Sequence, residues 1–302
     1  MTILGVPPVK TLLLPIVLLS TQASAQQTAA QADDSIIVTG QTKDAARERA
    51  VAFIRATGVA AGDVPATRWE DPVCPRVMGL APRQAKQVLD RIRMVATEAG
   101  VVLAREPCRS NAVISFVKDG AALVRDLSKQ SPSLLAQVAP EKRDALRNGI
   151  QPIRWWYRSE LVGMGKRGRS AGMPNALLGD HGNVPTHGDT DSLSQYTSSL
   201  ISTQTMRVLR SATVVVDATK LQGRSLEAVG AFTAMVALAE LKDDATHTAG
   251  TILGLFGANS GLLDLSEQDR NFLAGLYRLR LDRSARQHRG SLVAEMTKPS
   301  SP

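Results

Sequence analysis

The chain has 302 residues, 43% hydrophobic and 21% charged, with a formal net charge of +8. That is the composition of a globular protein long enough for one large domain or two small ones. The basic residues are scattered and not gathered in one run, which speaks against a nucleic-acid partner and for a solvated surface that can meet anionic envelope components.

Lys10 precedes the apolar run TLLLPIVLLS, followed by TQASAQQ. A basic start, an apolar stretch of about ten residues and an A-x-A site make a secretory signal peptide over 1–25, cleaved after Ala25. The run is shorter than the roughly 20 residues a membrane span needs. The mature chain is therefore expected to be periplasmic or secreted, with no transmembrane segment. Residues 26–34 read as a flexible mature N-terminus. Ile36, Ile37 and Val38 read as a short strand, bounded by acids and Gly40. Asp44 to Thr57 reads as a helix, with Ala50, Phe53 and Ile54 at helical spacing.

The segment DPVCPRVMGLAP is a proline-punctuated connection carrying Cys74. The chain has one other cysteine, Cys108, and in an exported protein the two are expected to form one disulfide. Two separate buried thiols are the alternative, and no histidine pair accompanies them to make a zinc site. Arg83 to Ala99 is the clearest amphipathic helix, with Ala85, Val88, Ile92, Val95 and Ala99 on one face and Gly100 to end it. Val101–Ala104 and Ala112–Val117 are expected as strands, then a helix from Ala121 to Ser128. Pro132 and Pro140 each restart a short helix.

PIRWWYRS alternates. Ile153, Trp155 and Tyr157 fall on one face of a strand, and Arg154, Trp156 and Arg158 on the other. The second face is cationic and aromatic, and it is the candidate binding surface. A loop over 159–193, rich in Gly, Asn, Pro, Asp and His, separates it from a polar strand over Tyr196–Leu209. Loops of that length are usually functional or disordered. A buried strand Ala212–Val216 and an almost wholly apolar helix Leu226–Leu241 follow. TILGLFG is a short apolar segment, and Ser266 caps a helix with Phe272, Leu273, Leu276 and Leu279 as its apolar face. Residues 283–302 read as a disordered basic tail. With no βαβ regularity and no repeat, the expectation is one α+β domain over 35–282, a mixed sheet packed against helices.

Three motifs could carry chemistry. GRSAG places Ser170 in a G-x-S-x-G pattern, with Asp217 and His247 as triad partners, but no apolar strand leads into it and Pro174 interrupts any following helix. GDHGNVPTHGDTD brings His181, His187 and Asp189 together as possible metal ligands, although their spacing fixes no geometry. Glu227 stands where a zincin H-E-x-x-H would place its glutamate, but Leu226 and Gly230 occupy the ligand positions. No cofactor follows from these patterns.

DSIIVTGQ, residues 34–41, resembles the TonB box of outer-membrane receptors. Such a segment could add as a strand to a partner's sheet, or pair within the protein's own sheet. More broadly, WEDPVCPRVMGL, PCRSNAVISFVKDG, IRWWYRSE and LSEQDRNFLAGLY resemble a family of exported proteins of Gram-negative bacteria that has no settled activity. The C-terminal half resembles zincin-like domains, in which a strand leads to a helix, an apolar turn and a further helix. Leu265, Ser266, Asp269, Leu273 and Tyr277 match that last element. The resemblance implies a zincin-like α+β fold without its zinc ligands. The functional expectation is a non-catalytic exported protein that binds an unknown protein or envelope component. A hydrolase or peptidase with an unorthodox site is the second reading, and a partner of the TonB system acting through 34–41 is the third.

Overall fold

The computed structural model describes residues 43–163, 203, 205–221, 223–248, 250–257 and 261–298. The expected signal peptide, the expected flexible N-terminus, the strand expected at Ile36–Val38 and the TonB-box-like segment lie outside them. So do residues 164–193 of the long loop, with Ser170, His181, His187 and Asp189, and the first part of the Tyr196–Leu209 strand.

Helix α1 runs Lys43–Thr57 and buries Ala50, Phe53 and Ile54. Helix α2, Pro82–Ala99, has Pro82 in its first turn and ends at Gly100, whose φ of 82° is left-handed. Only glycine enters that region without a Cβ penalty, so the expected stop forms where it was read. The buried stripe of α2 includes Val88, Ile92, Val95, Ala96 and Ala99.

Among the described residues five strands make one sheet: β1 Arg68–Trp69, β2 Pro75–Met78, β3 Ala112–Val117, β4 Ile153–Gly163 and β5 Thr205–Asp217. β5 is its axis. One edge of β5 pairs antiparallel with β4 along nearly its whole length. The other edge takes β1 at Val208–Leu209 and then β3 at Ala212–Asp217, both parallel, and β2 lies parallel outside β3. Among the described residues the fold is thus a mixed α/β arrangement of seven α-helices and a sheet dominated by parallel pairs. Three expectations need correction. The proline-rich connection after Cys74 contains β2, so β2–α2–β3 is a βαβ unit in a chain that showed no such regularity. Residues 101–104 form no strand, only an isolated bridge from Leu103 to Val73. The described end of the polar strand, from Thr205, and the buried strand Ala212–Val216 are one element, β5. A register shift opposite Arg158/Ser159 leaves Arg210 as an extra residue in β5. The bulge aims its guanidinium at Glu160, 2.7 Å away, and at Asp71.

Helix α3, Gly120–Gln130, starts on the Asp119 side chain, which accepts from the Ala122 N–H. A 3-10 turn at Pro132–Leu135 and helix α4, Pro140–Asn148, follow, each opened by its proline. Helix α5, Leu226–Leu238, is buried from Ala228 onward. It packs on α2 so closely that a Cβ at Gly230 would meet the Arg91 side chain at 3.4 Å. Helix α6, Glu267–Arg278, opens with a reciprocal capping box between Ser266 and Asp269. The Asp269 carboxylate also accepts the Ile252 N–H at 2.8 Å, tying the apolar turn Ile252–Gly254 to α6.

The expected disordered tail is wrong. Ala285–Met296 is helix α7, opened by a capping box of Ser284 and Gln287. His288 lies on it and is fully buried. Its Nδ1 accepts from the Ala66 N–H at 3.0 Å, so the proton sits on Nε2, which donates to Arg280 O at 2.9 Å.

A disulfide joins Cys74 to Cys108, and no described helix is long and apolar enough to cross a membrane.

Candidate functional site

Three segments converge on the outer edge of β4. The α1–β1 connection (residues 58–67) makes one wall, and residues 137–146, ending in α4, make the other. Residues 240–243, after α5, close one side. Between them lies a groove of about 700 Å³, within the range of small-ligand sites.

The walls are pinned from behind. Gly58 takes a φ of 73°, and a Cβ there would collide with the Lys242 stem. The Lys242 N–H bonds to Thr57 O at 3.0 Å. Arg289 on α7 donates to Gly62 O at 2.7 Å and to Ala60 O, while His288 holds Ala66. The helix that looked like a tail is therefore the buttress of one wall. On the other side, Arg143 donates to Val138 O at 2.7 Å and Ala136 O at 3.0 Å, fixing the turn that leads into α4.

His288 makes that buttress pH-dependent. Burial holds its pKa below the ordinary 6.5. Arg68 pushes the same way, and the bond to Arg280 O and the nearby Asp282 oppose. The unfolded chain therefore takes up the proton first. Stability is full above about pH 6.5 and is lost as pH falls toward the folded-state pKa, at up to about 1.4 kcal/mol per pH unit. Urea unfolding between pH 7 and pH 5 measures this. His288→Gln should flatten the profile, and an equal slope in both proteins would remove the assignment.

The floor is the edge of β4 along its aromatic run, with Trp155 and Trp156 each only 4% exposed. Trp155, Trp156 and Tyr157 follow one another along β4 and all line the groove. The Trp155 indole N–H donates to Leu241 O at 3.2 Å. The Tyr157 hydroxyl donates to Val236 O at 2.7 Å and accepts from the Leu241 N–H at 3.3 Å. Burial pushes the phenol well above its ordinary pKa, so it stays protonated. The charged groups are engaged by the protein itself. Arg207 donates to Thr67 Oγ1 at 3.2 Å and Ser159 Oγ at 2.6 Å and reaches Glu240 at 3.4 Å. Lys142 pairs with Asp243 at 2.8 Å.

Comparison with protein-family models, curated proteins and solved structures finds no match. The site is therefore read from its own geometry.

The cationic-aromatic face did not survive folding as a surface. Arg154 is buried at 2% exposure and donates to Gln151 O at 2.8 Å and to Gly149 O. Trp156 is buried among Val124, Leu135, Leu146 and Val215, beneath α3 and α4. Arg158 is half-buried. The strand and its period were legible, but the covering helices were not, and Trp156 reaches the groove only from within this second core.

The chemical candidates are not brought together. Glu227 is exposed in the first turn of α5, its charge felt by Arg91. Asp217 is buried at the end of β5, where its carboxylate accepts from Thr219 at 2.7 Å and pairs with Lys220 at 3.1 Å. Its presumed partners Ser170 and the His247 side chain lie outside the described residues. Among the described residues, no cluster of three His, Cys, Asp or Glu side chains could hold a metal. The sequence reading missed Gln137, Lys142, Arg207, Glu240 and the α1–β1 wall, since no motif links segments so far apart.

Proposed function

We propose that this is an exported, non-catalytic binding protein whose ligand occupies the groove along β4, on a degenerate zincin-like fold. One observation carries the reading. The groove runs along the open edge of β4 at Trp155–Tyr157, whose rings are held in the cores, while its hydroxyl and guanidinium groups already bond to the protein, so it is built to receive a ligand more than to act on one. Support for the zincin-like kinship is the succession of β5, α5, the Ile252–Gly254 turn and α6, with Asp269 clasping the turn. The Tyr277 hydroxyl adds to it by donating to Leu238 O at 2.7 Å. The disulfide fits an exported chain.

Two of the three tryptophans line the groove, so their fluorescence is a direct reporter. The protein is titrated with peptides selected from a displayed library and with solubilised envelope polymers. Val64 lines the groove and is 52% exposed, so Val64→Trp obstructs it without disturbing a core. A ligand that shifts the emission and binds at least tenfold more weakly to Val64→Trp supports the reading. Binding indifferent to that substitution would move the site elsewhere. Hydrolysis of the selected peptides, abolished by Glu240→Gln, would put the hydrolase reading in its place.

A further inference from the structure

We infer that the ligand of this groove is an extended peptide, supplied by another protein, that adds as a strand to the open edge of β4. This rests on the groove being the binding site, and it names the chemistry of the occupant.

The argument begins with alternation. The Asp217 N–H donates to Pro152 O at 2.8 Å, and the Ala212 N–H, on the opposite edge of β5, donates to Asn111 O at 3.0 Å. Even-numbered residues of β4 therefore face β5. The main-chain N–H and C=O of Trp155 and Tyr157 point the other way. Consecutive side chains of a strand lie on opposite faces. A cavity lined by Trp155, Trp156 and Tyr157 in succession must therefore meet the strand at its edge, into which these main-chain groups are aimed.

The next outward-facing residue shows what that edge accepts. Ser159 donates its N–H to Gln137 Oε1 at 2.8 Å and receives the Gln137 amide N–H on its C=O at 3.0 Å. A side-chain carboxamide, the chemical equivalent of a peptide group, already sits where a neighbouring strand would. Among the described residues nothing pairs in the same way with the main chain of Trp155 or Tyr157. Leaving such groups unpaired and shielded from water costs roughly 1–3 kcal/mol each. They present donors and acceptors at the repeat of a strand, about 6.6–6.8 Å for two residues, and a peptide main chain matches that repeat. Arg207 and Glu240, and Lys142 and Asp243, are already paired with one another. One face of the added strand would meet Ala60, Ala66 and Leu241, and the other Val138 and Leu146. Polar side chains such as Thr67, Gln137 and Lys242 line the groove beside them, so the fitting peptide combines a short apolar run with flanking polar residues.

The test uses the intact protein and a displayed library of random nine-residue peptides, with the enriched peptides made synthetically. Peptides N-methylated at every second residue are compared in the two possible registers. One register should lose at least tenfold in affinity and the other less than twofold. The Trp155 and Tyr157 amides should exchange with deuterium at least tenfold more slowly when peptide is bound. Equal affinity in both registers with unchanged exchange would overturn strand addition. The groove reading would still stand if Val64→Trp blocks the same peptide, and would fall with it if Val64→Trp does not. A library that enriches nothing overturns the peptide as occupant. Tighter binding by a synthetic Asp34–Gln41 octapeptide than by any library peptide overturns the external partner and assigns the edge to the chain's own segment.

Discussion

Phe232→Ala is expected to lower the unfolding free energy by about 3–5 kcal/mol, the range for emptying a buried aromatic site. Phe232 lies on α5 with no exposure, its ring 5.9 Å from Trp155 and 5.6 Å from Phe256 in edge-to-face contacts. Its neighbours belong to a long buried helix, the sheet and the Ile252–Gly254 turn, so none can collapse freely into the space. The loss comprises the transfer of the ring to water, the cavity left behind and two aromatic contacts. The effect should also reach the groove, because Trp155 forms part of its floor and donates to Leu241 O. Equilibrium unfolding in urea gives the free energy, and peptide titration of the same variant gives the affinity. A loss below about 1 kcal/mol would mean that α5 is not the centre of the core.

Much of this core was legible because its signals are local. α2 announces itself by an apolar stripe and a terminal glycine, and α6 by a serine cap. α5 is recognisable because a helix apolar on every side must be buried. β2 escaped notice because four residues with a leading proline carry no period, and only pairing with β3 makes them a strand. α7 escaped because Ala285–Met296 is mostly polar, and its inward positions include a histidine. The signal that could have found it was Ser284 with Gln287 three residues on, the reciprocal cap that opens many helices.

The groove was illegible for a different reason. Its walls come from residues 58–67, 137–146 and 240–243, and no pattern within any one of them refers to the others. β4 was read with the correct period, yet its second face was assigned to solvent. Arg154 shows why that assignment failed. Its guanidinium is drawn inward by the carbonyls of Gly149 and Gln151, in the turn leading into the strand. A charged side chain bonded in this way can be buried where composition alone would leave it exposed.

Removing the disulfide is expected to cost about 3–4 kcal/mol, read by comparing the wild type with a Cys74→Ser, Cys108→Ser double variant. The bridge spans 34 residues, and closing a loop of that size in the unfolded chain accounts for this amount in the chain-entropy account. Within the loop lie β2 and α2 and the approach to β3, so the crosslink holds both ends of the βαβ unit. It is not alone in doing so. The Asn111 side chain accepts the Cys74 N–H at 2.8 Å and donates to Pro72 O at 3.1 Å. Those bonds exist only in the folded chain, whereas the bridge acts on the unfolded one. The two contributions should therefore add, and the double variant should keep its fold while melting roughly 6–16 °C lower. Its far-UV circular dichroism at 20 °C should match the wild type. Because residues 74–108 lie outside the groove lining, peptide affinity should also stay within twofold. A melting temperature unchanged within 2 °C would mean that the unfolded chain already holds these ends together, and the entropic account of the bridge would then fail.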